Sequence, residues 1–514
     1  MTPRWSVHHL YRSEYQLLGS DEMAFKWHKW LPRVALLTLC VFSIVALILS
    51  LVGIRSVALP PENKYGLVFD AGSSHTSLFV YQWPTDKENN TGVVSQTFSC
   101  HVNGSGISSY DSHPTEAGAS LRPCLDEAMM VIPPERRREA PAYLGATAGM
   151  RLLRKKNPSV SERILEEVGK AIREYPVSFR GARIITGEDE GAYGWITINY
   201  LLNSFTQYSA KDRDWVHPAS AGLVGALDLG GASTQISFLP SDNNTDPFRF
   251  RLYGFDYGIY THSYLCYGQN QALDQVIRVI LNASSSDVIE HPCYPQGYNG
   301  TMNVSSLFGS ACANNQTQAP DNVTQVLLLG TGNATLCRQA VRNIFNFSNC
   351  SHSKSCGFNG VYQPRVNGKF LAFSAYYYTF SFLNLTETHP LAVVEDAIDA
   401  FCSRTWNDLK SSYSDQTESR LVNYCASANY ILTLLLDGYG FSNTSWENIA
   451  FRMQVANSDI GWTLGYMLNL TNMIPSEAPR TLRGHEEGPW VASVFFIVAT
   501  LALAIVLLLI YFLQ

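Results

Sequence analysis

The sequence predicts an α/β protein of two related lobes, flanked by one transmembrane helix at each end. Three observations carry this reading: a duplicated strand–turn–strand segment, apolar strands alternating with helical patterns, and a charge-free apolar run near each terminus. The 514 residues are 46% hydrophobic but only 16% charged, below the roughly 25% of an ordinary soluble domain. The net charge of −6 leaves no basic surplus, which argues against nucleic-acid binding. This composition also excludes a disordered chain, a collagen and a coiled coil.

The apolar runs come first in the argument. Val34–Ile54 and Trp490–Leu513 carry no charge, and each is long enough to cross a hydrocarbon core of about 30 Å as a helix. The first is too long for a signal-peptide core, and no small-x-small cleavage site follows it. Arg4, Arg12, Lys26, Lys29 and Arg33 precede it, which places the N-terminus in the cytoplasm. A two-span chain then has a cytoplasmic tail at 1–33, helices at 34–54 and 490–513, and both termini inside. The large segment between them lies outside, with 475–489 as a linker. The expected location is the plasma membrane, with the lipid bilayer as a partner. The spans also offer a route to a homo-oligomer. Met23 is an alternative start, which would make residues 1–22 dispensable.

The outer segment agrees with an oxidising, glycosylating compartment. Every N-x-S/T sequon lies between the spans, at Asn89, Asn103, Asn243, Asn282, Asn299, Asn303, Asn315, Asn322, Asn333, Asn346, Asn349, Asn384, Asn443 and Asn469. Glycans there would supply the polarity that the charge count lacks. Cys40 falls inside the first span, and the ectodomain keeps Cys100, Cys124, Cys266, Cys293, Cys312, Cys337, Cys350, Cys356, Cys402 and Cys425. An even set reads as five disulfides. Spacing suggests the local loops Cys100–Cys124, Cys350–Cys356 and Cys402–Cys425 and leaves the rest open.

The repeat organises the ectodomain. Residues 66–80, GLVFDAGSSHTSLFV, and 225–238, GALDLGGASTQISF, share one plan. An Asp ends an apolar strand, Gly follows two residues later, and a second strand returns. Between the copies, Ala142–Gly145 reads as a strand, Ser161–Tyr175 as a helix with Ser161 as N-cap, and Ala182–Thr186 as a strand. Tyr193–Leu202 reads as an apolar helix. Residues 282–360 read as a glycosylated, disulfide-stapled surface elaboration. The patterns at Tyr430–Leu436 and Ser445–Gln454 predict two more helices. We divide the ectodomain into lobe I (56–186), lobe II (187–452) and a closing segment of lobe I (453–487).

The two D-x-G turns carry the chemistry. Small residues after each Asp leave backbone N–H groups exposed, and such nests bind anions, phosphate above all. Ser73, Ser74, Thr76, Ser233 and Gln235 add side-chain donors. Asp70 and Asp228 would repel bare phosphate, and make sense if they hold a divalent cation, directly or through water. Two facing turns would clamp a phosphate chain from both sides. Ala146-Thr147-Ala148-Gly149 adds a strand-to-helix turn whose helix N-terminus suits phosphate. Glu188-Asp189-Glu190 reads as a solvated turn, as an acidic helix start or as the source of a general base. There is no G-x-x-x-x-G-K-[ST], no G-x-S-x-G and no H-E-x-x-H.

Taken in order, VFDAGSSHT (68–76), YLGATAGMRLL (143–153), ITGEDEGAYGWITINYLL (185–202), ALDLGGASTQ (226–235) and DIGWTLGYMLNLTNMIP (459–475) resemble the five apyrase conserved regions. The family is the ecto-nucleoside triphosphate diphosphohydrolases, and the two spans resemble its cell-surface branch. The resemblance implies two ribonuclease-H-like lobes of the actin/hexokinase/heat-shock-chaperone superfamily. It implies hydrolysis of extracellular nucleotides such as ATP, ADP, UTP and UDP to monophosphates, with Ca²⁺ or Mg²⁺. By motif position, Glu190 matches the catalytic base and Ser233 helps to place the water. Asp70 and Asp228 match the carboxylates that hold the metal's water shell. Ser73, Ser74, His75, Thr147, Ala148, Gly230, Gly231, Ala232 and Gln235 match phosphate or metal-water contacts. Tyr378 and Tyr424, with Arg420 one helical turn earlier, resemble the base-stacking set. Trp462 matches a lobe-packing position. The family pattern also pairs Cys266–Cys312 and Cys293–Cys337. The family often has Gln or Glu where Glu188 stands and Glu where Asp189 stands, so Asp189 departs from it, but Glu190 is kept. A non-catalytic nucleotide receptor and a glycosylated adhesion scaffold are the competing readings outside enzymes. Among enzymes of the same superfamily, a polyphosphate phosphatase or a sugar kinase is the runner-up.

Overall fold

A computed structural model describes residues 18–52, 54–60, 62–87, 91–209, 214–216, 222–241, 247–284, 286–313, 323–348, 356–478 and 481–513. The chain divides into two compact units, Met1–Pro61 with Ala478–Gln514, and Glu62–Glu477.

The first unit holds helices Leu18–Leu51 and Glu487–Leu513. Within them, Trp30–Leu51 and Glu487–Leu513 are long and apolar enough to cross a membrane. The helices pack on one another, with Phe42 edge-on to Phe496 at 5.2 Å between ring centres. Strand Ile54–Ala58 pairs antiparallel with Thr481–His485. Two expectations change here. Ile54 starts a strand rather than ending a helix. The stretch 475–489 contains a strand and the start of the second helix, so it is more than a linker. Pairing satisfies backbone N–H and C=O groups of both segments, and neither segment signals this alone.

The second unit is built on two sheets of matching topology. In the first, the spatial order is Ser95–Val102, Thr76–Pro84, Asn63–Ala71, Pro141–Ala146, Ser178–Ile184. The first three are antiparallel neighbours and the last two join in parallel. In the second, Phe255–Leu265, Ser233–Phe238, Gly225–Leu229, Phe370–Ser374 and Ile449–Phe451 repeat that order and those directions. Phe248–Leu252 is added at one edge. The register repeats as well: Asp70 faces Ser77, and Asp228 faces Gln235. This is the duplicated ribonuclease-H-like architecture.

Two helices knit the sheets together. Gly187–Leu201 follows the last strand of the first sheet, and Trp462–Met473 follows the last strand of the second. They pack tightly, because a Cβ at Gly465 would lie 2.0 Å from the Tyr193 carbonyl oxygen. Gly187 and Gly191 press the first helix onto the second sheet, where a Cβ would meet Ser263 and Thr261. Trp462 packs across Gly145 of the first sheet in return. A continuous core therefore joins Val68, Tyr81 and Trp83 with Trp195, Ile196, Leu371, Phe373 and Leu464. Burial of this kind stabilises by about 25 cal/mol per Å² of apolar surface.

Several boundaries differ from the sequence reading. The helix expected at Ser161–Tyr175 spans Pro158–Arg173, capped by Asn157, whose Oδ1 accepts from the Val160 N–H at 3.3 Å. Pro158 sits at its first position, where a missing N–H costs nothing. The helix expected from Tyr193 begins at Gly187, so Glu188, Asp189 and Glu190 form its first turn. The helix expected at Tyr430–Leu436 runs from Tyr424 to Thr433 and widens into a π turn over Leu434–Gly438. The helix expected at Ser445–Gln454 is absent. A short helix Asn443–Trp446 gives way to strand Ile449–Phe451, because parallel pairing with Phe370–Ala372 overrides the local pattern.

The elaboration at 282–360 is more than surface. Val288–His291, Gln325–Gly330 and Asn299–Asn303 form a three-stranded sheet. Cys293, Val326, Leu328, Cys337 and Val341 join the main core of the second lobe. Disulfides link Cys100–Cys124, Cys266–Cys312, Cys293–Cys337 and Cys402–Cys425. The Cys350–Cys356 pair lies outside the described residues at Cys350, as do the sequons at Asn89, Asn243, Asn315, Asn322 and Asn349.

Replacing Gly465 by Ala should drive its new methyl into the Tyr193 carbonyl. We expect a loss of about 1–3 kcal/mol, typical of overpacking. Thermal denaturation of wild type and Gly465→Ala checks this; an unchanged midpoint would show that the helix pair yields freely.

Candidate active site

Three turns converge on Ser73. The first is its own hairpin, Gly72-Ser73-Ser74, after strand Asn63–Ala71. The second is the start of helix Ala148–Lys156, where a Cβ at Gly149 would lie 2.8 Å from the Ser73 Cα. The third is Gly230-Gly231-Ala232 of the second lobe, where a Cβ at Gly231 would lie 2.8 Å from the Ser73 Oγ. Glycine at 149 and 231 is thus a packing requirement, since any side chain would hold the turns apart.

Each turn presents unpaired donors. Helix Ala148–Lys156 has Thr147 as N-cap without a side-chain cap, so its first N–H groups stay open. The second-lobe turn is pinned from behind: the N–H groups of Gln269 and Asn270 donate to the Gly230 and Gly231 carbonyls at 2.8 and 2.9 Å. Gly268 permits this, since a Cβ there would lie 2.2 Å from the Ala232 nitrogen. The carbonyls are therefore spent on helix Gln269–Ala283. Among the described residues, the N–H groups of Gly72, Ser73, Ser74, Gly231 and Ala232 have no partner within the protein. Such a set is an anion cradle.

Glu190 stands beside the cradle. The Thr186 Oγ accepts from the Asp189 N–H at 3.0 Å and starts the helix. That turns Glu190 inward, where it is buried, while Glu188 is exposed. The Gln235 Nε2, with two hydrogens to give, lies within hydrogen-bond distance of Glu190 Oε2 at 3.1 Å and of the Ser233 and Ser263 hydroxyls at 2.7 and 2.9 Å. The Arg151 guanidinium pairs with Glu190 and also donates to Ser263 at 3.3 Å. One hydrogen-bonded group thus joins Arg151 of the first lobe to Ser233, Gln235 and Ser263 of the second.

The carboxylates are poised by burial. Burial pushes the Asp70 carboxyl up to about 7, Trp462 opposes the rise and Asp228 adds to it. Asp228 is likewise pushed to about 7, with Glu190 adding and Ser374 opposing. Glu190 also stands near 7: burial raises it, Arg151 lowers it, and Asp70 raises it further. No group of three His, Cys, Asp or Glu able to hold a metal directly occurs among the described residues. Two half-buried, electrostatically coupled aspartates with only oxygen donors do fit a hard divalent cation that keeps much of its water.

The remaining candidates lie around this centre. Ser74 and His75 are exposed at the hairpin tip, with the Ser74 hydroxyl 3.1 Å from His75 Nδ1. Thr147 and Ala148 are buried at the helix start. Tyr378 is exposed on helix Ala375–Phe382, not on a packed strand face. One helical turn on, Phe382 stacks on Tyr424 at 3.5 Å between ring centres. Arg420 acts electrostatically on both Tyr378 and Tyr424, so the structure brings the three together. Arg420 and Tyr424 lie in separate helices, Glu418–Leu421 and Tyr424–Thr433, rather than on consecutive turns of one.

Three residues escaped the sequence reading. Arg151 had a signal: a cation in the first turn of a helix opposes the dipole and so calls for an acidic partner. Ser263 lies mid-strand and had none. Ser374 takes φ +57°, unusual for a non-glycine, and its influence on Asp228 is visible only in three dimensions.

Residues 56–483 match the GDA1/CD39 (nucleoside phosphatase) family. The chain belongs to that family. It is 52% identical over 476 residues to ectonucleoside triphosphate diphosphohydrolase 8 of Gallus gallus, covering 91% of this chain and 95% of the relative. It is 50% identical over 467 residues to the Homo sapiens protein of that name, covering 90% and 93%. Ectonucleoside triphosphate diphosphohydrolase 3 of Mus musculus is 44% identical over 467 residues, covering 89% and 88%. Among solved structures, nucleoside triphosphate hydrolase from Neospora caninum matches with a TM-score of 0.56 and 15% identity, over 82% of this chain and 94% of that one. That likeness supports the actin-like fold. Members of this family depend on a divalent cation, and the terminal helices fit a membrane protein.

The three carboxyls also set a pH dependence. Their folded pKa values, about 7, exceed the roughly 4 of an unfolded chain. The folded state therefore binds more protons between these values, and its stability falls as pH rises from about 4 to about 7. In chelator, the protein should melt at lower temperature at pH 8 than at pH 5. Added divalent cation should raise the midpoint more at pH 8. A metal-free midpoint that rises across this window would contradict the assignment.

Proposed function

We propose that this family member is a cell-surface enzyme that hydrolyses nucleoside tri- and diphosphates to monophosphates, releasing orthophosphate at each step. The observation that carries the proposal is the convergence of three donor-rich turns on Ser73, beside Asp70, Asp228 and Glu190. The N–H groups of the turns centred on Ser73, Ala148 and Gly231 would cradle the phosphate chain. Ser74, His75, Thr147, Gly230 and Ala232 would complete it. Asp70 and Asp228 would hold Ca²⁺ or Mg²⁺ through water. The bound ion would neutralise phosphate oxygens as charge builds.

Glu190 would take a proton from water. The water oxygen then bonds to the terminal phosphorus as the bond to the bridging oxygen breaks, leaving a nucleotide one phosphate shorter. Ser233 and Gln235, bonded to one another beside Glu190, would orient the water. Arg151 offsets part of the burial penalty and so keeps Glu190 available as a base near neutral pH. Tyr378 and Tyr424, with Arg420 near, would stack the base. Every base has a π-face, which suits ATP, ADP, UTP and UDP alike. The charge pattern before the first span supports a plasma-membrane protein with both termini cytoplasmic and a glycosylated extracellular domain. The apolar helices offer a surface for a homo-oligomer.

The test is phosphate release from ATP and ADP by the full-length protein on cells, with Ca²⁺ or with EDTA. Wild type should release phosphate from both, only with the cation. Glu190→Ala at equal surface expression should lose at least about a hundredfold, the usual share of a general base. Absence of release from wild type would reject the function; release surviving Glu190→Ala would reject its mechanism.

Arg151→Gln removes the influence that holds Glu190 down. The acid limb of the pH–rate profile should then move to higher pH by about one unit or more. An unmoved limb with reduced rate would assign Arg151 to packing alone.

A further inference from the structure

Two imidazoles stand beside the first-lobe turn, and the proposed reaction accounts for only one of them. His75 follows the turn, and His101 lies on strand Ser95–Val102 opposite Ser77. Both are exposed. Their ring centres are 5.3 Å apart and tilted by 33°. Each Nδ1 sits beside a serine hydroxyl, His75 by Ser74 Oγ at 3.1 Å and His101 by Ser77 Oγ at 3.4 Å. Neither Nε2 has a hydrogen-bond partner among the described residues.

We propose that His75 and His101 form a two-histidine site for a borderline transition cation of the Zn²⁺ class, separate from the oxygen-donor site of Asp70 and Asp228. Three features favour it. Imidazole nitrogen suits such ions, whereas carboxylate and water suit Ca²⁺ and Mg²⁺. A Zn–N bond of about 2.0–2.1 Å puts a ring centre about 3.2 Å from the ion, and a tetrahedral angle then puts two ring centres about 5.2 Å apart. The observed 5.3 Å matches that separation, so the ring centres already stand at the spacing that two imidazoles on one ion require. Ligating histidines usually donate their other N–H to a fixed acceptor, and Ser74 and Ser77 are in place for this role. Partial loss of hydration at the ring, and then repulsion from His101, lower the His75 pKa, although the residue as a whole is exposed. Water completes the coordination. Occupancy ties the turn at Ser73–His75 to the neighbouring strand, and so slows any reaction that needs the turn to move onto phosphate.

The full-length protein in detergent, held in saturating Ca²⁺, is titrated with buffered free Zn²⁺ against a fluorescent zinc chelator. Wild type should take up one Zn²⁺, and His101→Ala should bind at least about tenfold more weakly, the loss that even second-shell changes cause. His101 makes no contact with the carboxylate cluster, so the variant's Ca²⁺-dependent phosphate release without Zn²⁺ serves as its control for folding. Zn²⁺ should slow wild-type turnover and spare His101→Ala. Equal zinc affinity in the two proteins, or none in wild type, would overturn the site. Zinc uptake without slowed turnover would overturn its coupling to the turn. The binding measurement reads the site independently of whether nucleotides are the substrate.

Discussion

Much of this fold answers to one electrostatic constraint: three carboxylates near one another where the two lobes meet, Glu190 buried and Asp70 and Asp228 half-buried. Asp70, Asp228 and Glu190 each raise the pKa of another member of the set. Arg151 pairs with Glu190, but the aspartates keep a charge deficit. Unpaired buried charge is costly. The deficit is tolerable if, as proposed, the cleft takes an anion and a cation together, the open N–H groups facing the anion and the aspartates the cation. A site complete in itself would have no reason to bind either.

That constraint explains where the chain places its glycines. Phosphate-binding donors must lie within hydrogen-bond reach of one ligand, so three backbone segments from two lobes must nearly touch. Gly149, Gly231 and Gly268 stand at the approaches where a Cβ would collide with backbone or with Ser73. Helix Gln269–Ala283 then uses its own open N–H groups to hold the Gly230 and Gly231 carbonyls. The turn's donors are left to face the cleft because its acceptors are already bonded.

How much was legible in sequence follows from the range of each interaction. The D-x-G repeat is local, and its seven-residue offset from Asp to facing residue, Asp70 to Ser77 and Asp228 to Gln235, survives intact in the sheets. The strand-helix alternation up to Gly187 is local too. What the sequence hid depends on contacts between distant segments. The strand Ile449–Phe451 owes its form to Phe370–Ala372, and Ile54–Ala58 to Thr481–His485. The helix start at Gly187 stayed open in the sequence because acidic residues suit a solvated turn as well as a first helical turn until Thr186 is seen capping them. The stapled segment at 282–360 looked superficial because its sequons and glycines outnumber the buried Val326, Leu328 and Val341 that anchor it.

The exchange of helices between lobes links fold to chemistry. Gly187–Leu201 grows out of the first sheet but rests on the second, and Trp462–Met473 does the reverse. Glu190 therefore moves with the helix at the seam, while Asp70 and Asp228 each ride at the end of a strand in one sheet. Any rotation of one lobe against the other must slide this helix pair, and the contact of Gly465 with Tyr193 leaves little room for sliding. Changes in lobe angle would thus reposition Glu190 relative to both aspartates at once. If Glu190 is the base, its place on the seam rather than on either sheet means that it would meet bound phosphate only when both lobes hold it. On the proposed reading, closure and proton abstraction would be one event rather than two.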